Sequence, residues 1–141
     1  MCNGKILISA EQIKMGGAIR KFAIYKKNIE NTNNINTNID FDFLIIGDFW
    51  GYMKIYNTKS LRLEKDIGEV MKASIETIII ISNLSNFRVV IGDRSGNCKI
   101  IKSNDWSLEI DFGNVMKNAI EEIAYIQNNL FLGDSKGFIK M

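Results

Sequence analysis

The chain has 141 residues, of which 46% are hydrophobic, and this is long enough for one domain with its own core. Its formal net charge is only +2 and no block of five like charges occurs, so the composition gives no electrostatic signature of nucleic-acid binding. The absence of histidine excludes every His-containing catalytic triad and removes the commonest general base and metal ligand.

Cysteine content and hydropathy indicate the compartment. The two cysteines, Cys2 and Cys98, are too few for a disulfide framework and fit a reducing compartment. The first residues lack the basic region and long apolar run of a signal peptide, and the longest apolar run, 78–81, is far too short to cross a bilayer. We therefore expect a cytoplasmic protein with no membrane partner.

One turn element occurs three times along the chain. Each copy is a Gly-Asp pair followed, three residues after the aspartate, by a second glycine: Gly47, Asp48 and Gly51; Gly92, Asp93 and Gly96; Gly133, Asp134 and Gly137. The Gly-Asp pairs are 45 and then 41 residues apart. A second marker, a methionine four residues before an isoleucine, recurs in the same phase at Met15, Met71 and Met116. Two markers in one phase indicate an internal repeat.

Each repeat resolves into four short strands. In chain order we predict strands at 19–25, 41–46, 52–56, 61–65, 75–81, 87–91, 97–101, 107–111, 120–126, 130–132 and 138–141, with 5–9 as a further copy of the fourth strand. A helix over 70–81 is the local alternative, because apolar residues there partly fit a 3.6-residue period. The β-branched run 78–81 and the repetition favour a strand. A repeat of four strands with a period of roughly 40–45 residues is typical of a propeller blade.

The same positions resemble the WD-repeat family over nearly the whole chain. Met15, Met71 and Met116 occupy the slot of the family's histidine, and Tyr56 and Ile101 occupy that of its tryptophan. Trp50, Ser95 and Lys136 stand where the family has an aspartate before glycine, so its Asp-His-Ser-Trp network is absent. The resemblance lies in spacing more than in signature residues, and other propeller families have similar blades. It implies an all-β protein, a β-propeller of four-stranded antiparallel blades.

We predict a single domain, 1–141, that contains three blades. They span 15–67, 71–112 and 116–141, the last completed by 5–9, and the first carries an insertion loop at 28–40. Propellers need about four to eight blades to enclose a channel, so three should not close alone. We expect either a homodimer with a six-bladed ring or completion of a partner protein's ring. A truncated reading frame is the alternative.

The turn residues have a structural and a functional interpretation. Asp at the first and Gly at the fourth position is a type I turn preference, in which the carboxylate bonds its own turn's backbone. Carboxylates gathered at one rim could instead bind a cation or a basic ligand. We favour the turn role, and we likewise expect Cys98 and the three methionines to fill the core. The sequence thus predicts no catalytic residue, no metal site and no cofactor.

The first turn departs from the other two. It carries Phe49-Trp50 and then Tyr52, whereas the later turns carry Arg94-Ser95 and Ser135-Lys136 in place of Phe49-Trp50. Aromatic and arginine side chains are over-represented at interface hot spots. In a WD-like propeller these turns share one face with the segments that precede each blade. We therefore predict a partner-binding surface of Trp50, Tyr52, Arg94, Lys136, Lys72 and Lys117.

The predicted function is a non-catalytic protein-interaction scaffold with protein partners. Two alternatives from other classes remain. One is a propeller subunit associated with nucleic acid or a ribonucleoprotein, which steep salt dependence of binding would support, although nucleic acid is not the expected partner. The other is a propeller enzyme that uses the rim carboxylates. Fold-level analogy carries the preferred interpretation.

Overall fold

The computed structural model describes residues 13–26, 42–82 and 86–141. Within these ranges the chain is all-β, as predicted. Its strands are β1 Ile19–Tyr25, β2 Phe43–Asp48, β3 Tyr52–Asn57, β4 Leu63–Glu69, β5 Ile75–Ser82, β6 Phe87–Asp93, β7 Asn97–Lys102, β8 Leu108–Asn114, β9 Ile120–Ile126, β10 Asn129–Asp134 and β11 Ile139–Lys140. The strand at Ile75–Ser82 confirms the interpretation favoured over a helix. The predicted strand 5–9 and insertion loop 28–40 lie outside the described residues.

The strands form three antiparallel sheets in which each strand pairs with the next along the chain. Sheet 1 is β1-β2-β3-β4, sheet 2 is β5-β6-β7-β8, and sheet 3 is β9-β10-β11. The first strand of sheet 2 contacts the first strands of both other sheets, so sheet 2 lies between them. These contacts fix the order of the sheets.

The fourth strands begin later than predicted, at Leu63 and Leu108 rather than at 61 and 107. The side-chain oxygen of Asn57 accepts hydrogen bonds from the amides of Lys59 and Ser60, and Leu61 has a left-handed φ of 55°. Side-chain bonding of this kind closes a turn. The turn extends through Leu61 and Arg62, whose main chains bond that of Asn57, and these are the first two residues of the predicted strand. In sheet 2, Trp106 has an equivalent left-handed φ of 59° two residues before the fourth strand.

The inner strands of the central sheet are buried on both faces. Val89 and Val90 are both 0% exposed although they are consecutive on one strand, because Val89 packs into the cluster shared with sheet 1 and Val90 into the cluster shared with sheet 3. A strand covered on both faces carries a continuous apolar run, which is the pattern of β6. At the far end of the first cluster Tyr25 of sheet 1 stacks on Phe87 of sheet 2, with ring centroids 3.9 Å apart.

Glycines let the sheets approach closely. A Cβ at Gly47 would lie 2.8 Å from Cγ2 of Ile75 in the next sheet, and one at Gly92 would lie 2.8 Å from Cγ2 of Ile120. Any side chain there would overlap the isoleucine, so each sheet-to-sheet contact requires a glycine on one side. This places the first glycine of each Gly-Asp pair at a contact between sheets.

The second glycines also connect neighbouring sheets. Gly51 and Gly96 have left-handed φ values of 85° and 84°, and a Cβ on either would overlap the carbonyl of Met71 or Met116. The carbonyl of Gly96 accepts hydrogen bonds from the amides of Val115 and Met116, at 2.9 and 3.1 Å. The turn of one sheet is therefore bonded to the segment that begins the next.

We expect Gly96→Ala to lower the free energy of unfolding by about 2–4 kcal/mol, because it combines left-handed strain with an overlap. Gly113→Ala is the matched control: Gly113 also has a left-handed φ, 65°, but an added Cβ would have no neighbour within 4 Å. It should cost only about 1 kcal/mol. Urea unfolding of both variants measures the difference, and equal losses would contradict the overlap.

Candidate partner-binding surface

The three Gly-Asp turns, at 48–52, 93–97 and 134–138, lie along one edge of the sheets, here called the turn edge. In each, an aspartate oxygen accepts two main-chain hydrogen bonds from its own turn. Oδ1 of Asp48 accepts from the amides of Trp50 and Tyr52, both at 2.9 Å. Oδ1 of Asp93 and of Asp134 accepts from the two equivalent amides at 2.8–2.9 Å. These bonds fix the backbone of all three turns.

The remaining aspartate oxygens have partners as well. Oδ2 of Asp48 accepts from the amide of Gly17 at 3.0 Å, that of Asp93 from the side-chain amide of Asn97, and that of Asp134 from Asn118. The hydrogen bond from Asn118 and those from its own turn keep the pKa of Asp134 below its ordinary value. Both oxygens of each carboxylate are thus occupied within the protein, which fits a structural role better than cation binding.

Trp50 is the largest exposed side chain of the turn edge. It is 60% exposed, and Tyr52 in the same turn is 41% exposed. The indole ring covers Gly17, where an added Cβ would overlap it, and it meets the ring of Phe49 edge-on at a centroid distance of 5.0 Å. The ring therefore has a defined seat and still presents a large apolar area to solvent.

A charged cluster joins the first two turns beside these rings. The guanidinium carbon of Arg94 lies 5.3 Å from the centroid of the Phe49 ring, a cation–π distance. Glu76, on the first strand of sheet 2, accepts from Nε of Arg94 at 3.0 Å and from Nη2 of Arg20 at 2.9 Å. Its side chain is 6% exposed, against 51% for Arg94 and 37% for Arg20. One buried carboxylate therefore holds two partly exposed arginines.

Burial of Glu76 on its own would raise the pKa of its carboxyl. The hydrogen bond from Arg20 and the charges of Arg20 and Arg94 outweigh burial and bring the pKa below its ordinary value. Glu76 is therefore ionised at neutral pH. The two arginines and the carboxylate together carry one excess positive charge next to the exposed aromatic rings.

The structure brings four of the six predicted surface residues together. Trp50 and Arg94 both contact Phe49, and Tyr52 pairs in register with Glu69, which forms a 2.7 Å ion pair with Lys72. The hydrogen bond from Glu69 and its charge raise the pKa of Lys72. Lys117 and Lys136 are exposed residues of the last repeat.

Three residues of the cluster were not among the predicted set: Phe49, Arg20 and Glu76. Arg20 and Glu76 each directly follow the isoleucine of their repeat, so alignment of the repeats gives opposite charges at one position. That signal in the sequence could have identified the pair. Phe49 aligns with Arg94, its own cation–π partner, and nothing in the sequence pattern indicates that contact.

The buried sulfur residues lie apart from the turn edge. Met15, Met71 and Met116 pack in three different hydrophobic clusters, as core residues. Cys98 is 0% exposed, and burial, with the charges of Asp111 and Asp93, raises the pKa of its thiol to about 11. Its thiol is therefore protonated at neutral pH. Within the described ranges no three Cys, Asp or Glu side chains gather closely enough to hold a metal ion.

Neither models of known protein families nor curated protein sequences match the chain. Over residues 13–26, 42–82 and 86–141, no helix has the length and apolar character needed to cross a membrane. The geometry of the turn edge is therefore the basis for assigning a function.

We expect Glu76→Gln to lower the free energy of unfolding at pH 7 by about 1–2 kcal/mol, because it removes the buried charge that pairs with two partly exposed arginines. The depressed pKa means that this stabilisation is present above the ordinary pKa and is lost as pH falls through the lower folded-state pKa. The wild-type and Gln proteins should therefore converge in stability in acid. Urea unfolding between pH 7 and pH 3 measures this, and a constant gap would contradict it.

Proposed function

We propose that the protein is a non-catalytic interaction scaffold of the WD-repeat propeller type, and that it binds a protein partner through the first half of its turn edge. The binding surface is Trp50, Tyr52 and Phe49 with Arg94 and Arg20. Lys72 forms its margin.

The arrangement of the sheets supports a propeller-type architecture. Over residues 13–26, 42–82 and 86–141, two sheets of four antiparallel strands and one of three follow each other, and each strand pairs with its neighbour in sequence. The sheets pack face to face with their first strands in contact, and equivalent residues make both contacts. Four-stranded, up-and-down sheets packed in this way are the unit from which propellers are built.

The observation that carries the proposed function is an exposed tryptophan on a fixed backbone. Trp50 leaves 60% of its surface in water although Asp48 holds its amide and that of Tyr52. A large aromatic side chain on a preorganised turn loses little conformational entropy when it binds, so most of its contact area contributes to affinity. The equivalent residues of the other turns, Ser95 and Lys136, cannot supply that area.

The charges beside the rings indicate the chemistry of the partner. Arg20 and Arg94 share the single carboxylate of Glu76 and both remain partly exposed. An acidic side chain of a partner could accept hydrogen bonds from either guanidinium, while an apolar side chain covers Trp50. The preferred partner is therefore a protein segment with an apolar and an acidic residue close together.

The test is affinity capture with the intact chain and with Trp50→Ala, followed by measurement of the Kd for the captured protein. Truncation of a hot-spot tryptophan should cost at least about 2 kcal/mol, or roughly 30-fold in Kd. The fold should survive because the side chain is mainly exposed. Circular dichroism and urea unfolding verify that.

Phe112→Ala is the matched control, since Phe112 is an aromatic residue 44% exposed on the fourth strand of sheet 2. It should leave the Kd unchanged. Equal capture by all three proteins would refute the assignment of the binding surface to the turn edge.

A further inference from the structure

Sheet 1 has an outer face that is equivalent to a buried face in the other two sheets. Ile19 is 49% exposed, whereas its equivalents Ile75 and Ile120 are both 0% exposed. Phe22 is 65% exposed, against 5% for Ile123 at the same position of sheet 3. The difference arises because sheets 2 and 3 each have a preceding sheet packed against this face. We call the face formed by Ile19, Phe22 and Ile24 the head face.

Sheet 3 is exposed on the opposite side. Ile139 is 78% exposed, whereas Met53 and Cys98 at the same strand position are both 0% exposed. Met141 is 77% exposed, against 0% and 6% for its equivalents Ile55 and Ile100. In sheets 1 and 2 these positions are covered by the following sheet. The face formed by Ile126, Ile139 and Met141 is here called the tail face.

The tail face also carries glycines suited to a following sheet. Gly47 and Gly92 each have an isoleucine of the next sheet where a Cβ would stand, but at Gly133 an added Cβ would meet only Glu122, at 3.8 Å. Gly137 has a left-handed φ of 85°, close to the 85° and 84° of Gly51 and Gly96, yet no atom lies within 4 Å of a Cβ there. The tail face therefore has the features with which sheets 1 and 2 contact the sheet that follows them, and the head face has the features with which sheets 2 and 3 contact the sheet that precedes them.

Charge favours the same match. Arg20 and Glu76 occupy the same position in sheets 1 and 2 and form an ion pair across the contact between them. The equivalent residue of sheet 3 is Glu121, which is exposed. A tail face placed against a head face would set Glu121 opposite an Arg20, so that this contact also pairs opposite charges.

We infer that the head and tail faces bind each other between two copies of this chain, forming a two-chain ring of six sheets. Sheet 2 separates the two faces, and the three sheets that the described residues form are fewer than the roughly four to eight that a propeller ring contains. Two copies placed head to tail bury both pairs of faces with one twofold axis, since a heterologous contact forms a closed ring where its rotation closes. Apolar faces of this kind are rarely left open in soluble proteins.

The inference shares with the proposed function the propeller-like packing of the sheets but not the binding surface around Trp50. The first measurement is the mass of the purified chain by sedimentation equilibrium or light scattering. The expected species has twice the 16.0 kDa of one chain. A monomer would overturn the inference, whether the faces are then covered by another protein or by other residues. A larger or open-ended assembly would overturn the two-chain ring.

Variants that leave the single chain intact make the test specific. Gly133→Val has room in one chain but should collide with Ile19 of the second copy, and Ile19→Asp places a charge in the same contact. Each should weaken dimerisation by at least about tenfold. The matched control Leu63→Asp changes a residue of similar exposure, 48%, on the outer strand of sheet 1 and should leave the dimer intact. Dimerisation that is insensitive to both variants would overturn the inference.

Mixing the two defective proteins separates loss of contact from loss of folding. When a Gly133→Val chain pairs head to tail with an Ile19→Asp chain, the altered tail face of the first meets the altered head face of the second. The other contact then joins two wild-type faces. The mixture should therefore dimerise more strongly than either variant alone, and absence of this rescue would refute head-to-tail pairing. Trp50→Ala should leave the dimer unchanged, so failure of the binding proposal and failure of this inference give different results.

Discussion

The close approach of neighbouring sheets depends on a glycine in one facing an isoleucine in the next. At Gly47 with Ile75 and at Gly92 with Ile120, the missing Cβ is the space that the isoleucine fills. Because the interior is close-packed, this distance also determines how well the flanking apolar residues of both sheets interdigitate. The second glycine of each turn adds a hydrogen-bonded contact at the rim of the same interface. The packing of the core and the position of the turn edge therefore both depend on the close approach of glycine and isoleucine between neighbouring sheets.

The turn aspartates connect this packing to the charged cluster. Asp48 and Asp93 are fully buried, and that burial is tolerable because both oxygens of each accept hydrogen bonds. These fixed turns place Arg94 over the ring of Phe49 and in contact with Glu76. Glu76 lies between sheets 1 and 2, so the exposed surface around Trp50 is held by groups from both. The sheet contact thus sets the geometry of the proposed binding surface.

Much of the fold follows from the sequence, since the strands Ile19–Tyr25 and Ile120–Ile126 were predicted to the residue from β-branched content and the phase of the turns. The start of the fourth strand of sheet 1 did not follow, because side-chain bonding by Asn57 decides it locally. The exposure of Trp50 was predictable from its place at a turn tip. Its seat over Gly17 was not, because the two are 33 residues apart in sequence. A repeat pattern assigns equivalent residues the same environment, whereas the end sheets have neighbours on one side only.

A two-chain ring would also change how the turn edge binds. A twofold axis that coincides with the central axis of the ring would place both copies of the Trp50 turn on the same side of the ring, each with its own pair of arginines. A partner with two suitable segments could then occupy both, and the second binding event would become intramolecular. Avidity would depend on the span between the two turns and on the length of the partner's linker, with no new contact required. Because only the first repeat carries the tryptophan turn, the two surfaces would lie three sheets apart around the ring, the largest separation that six sheets allow.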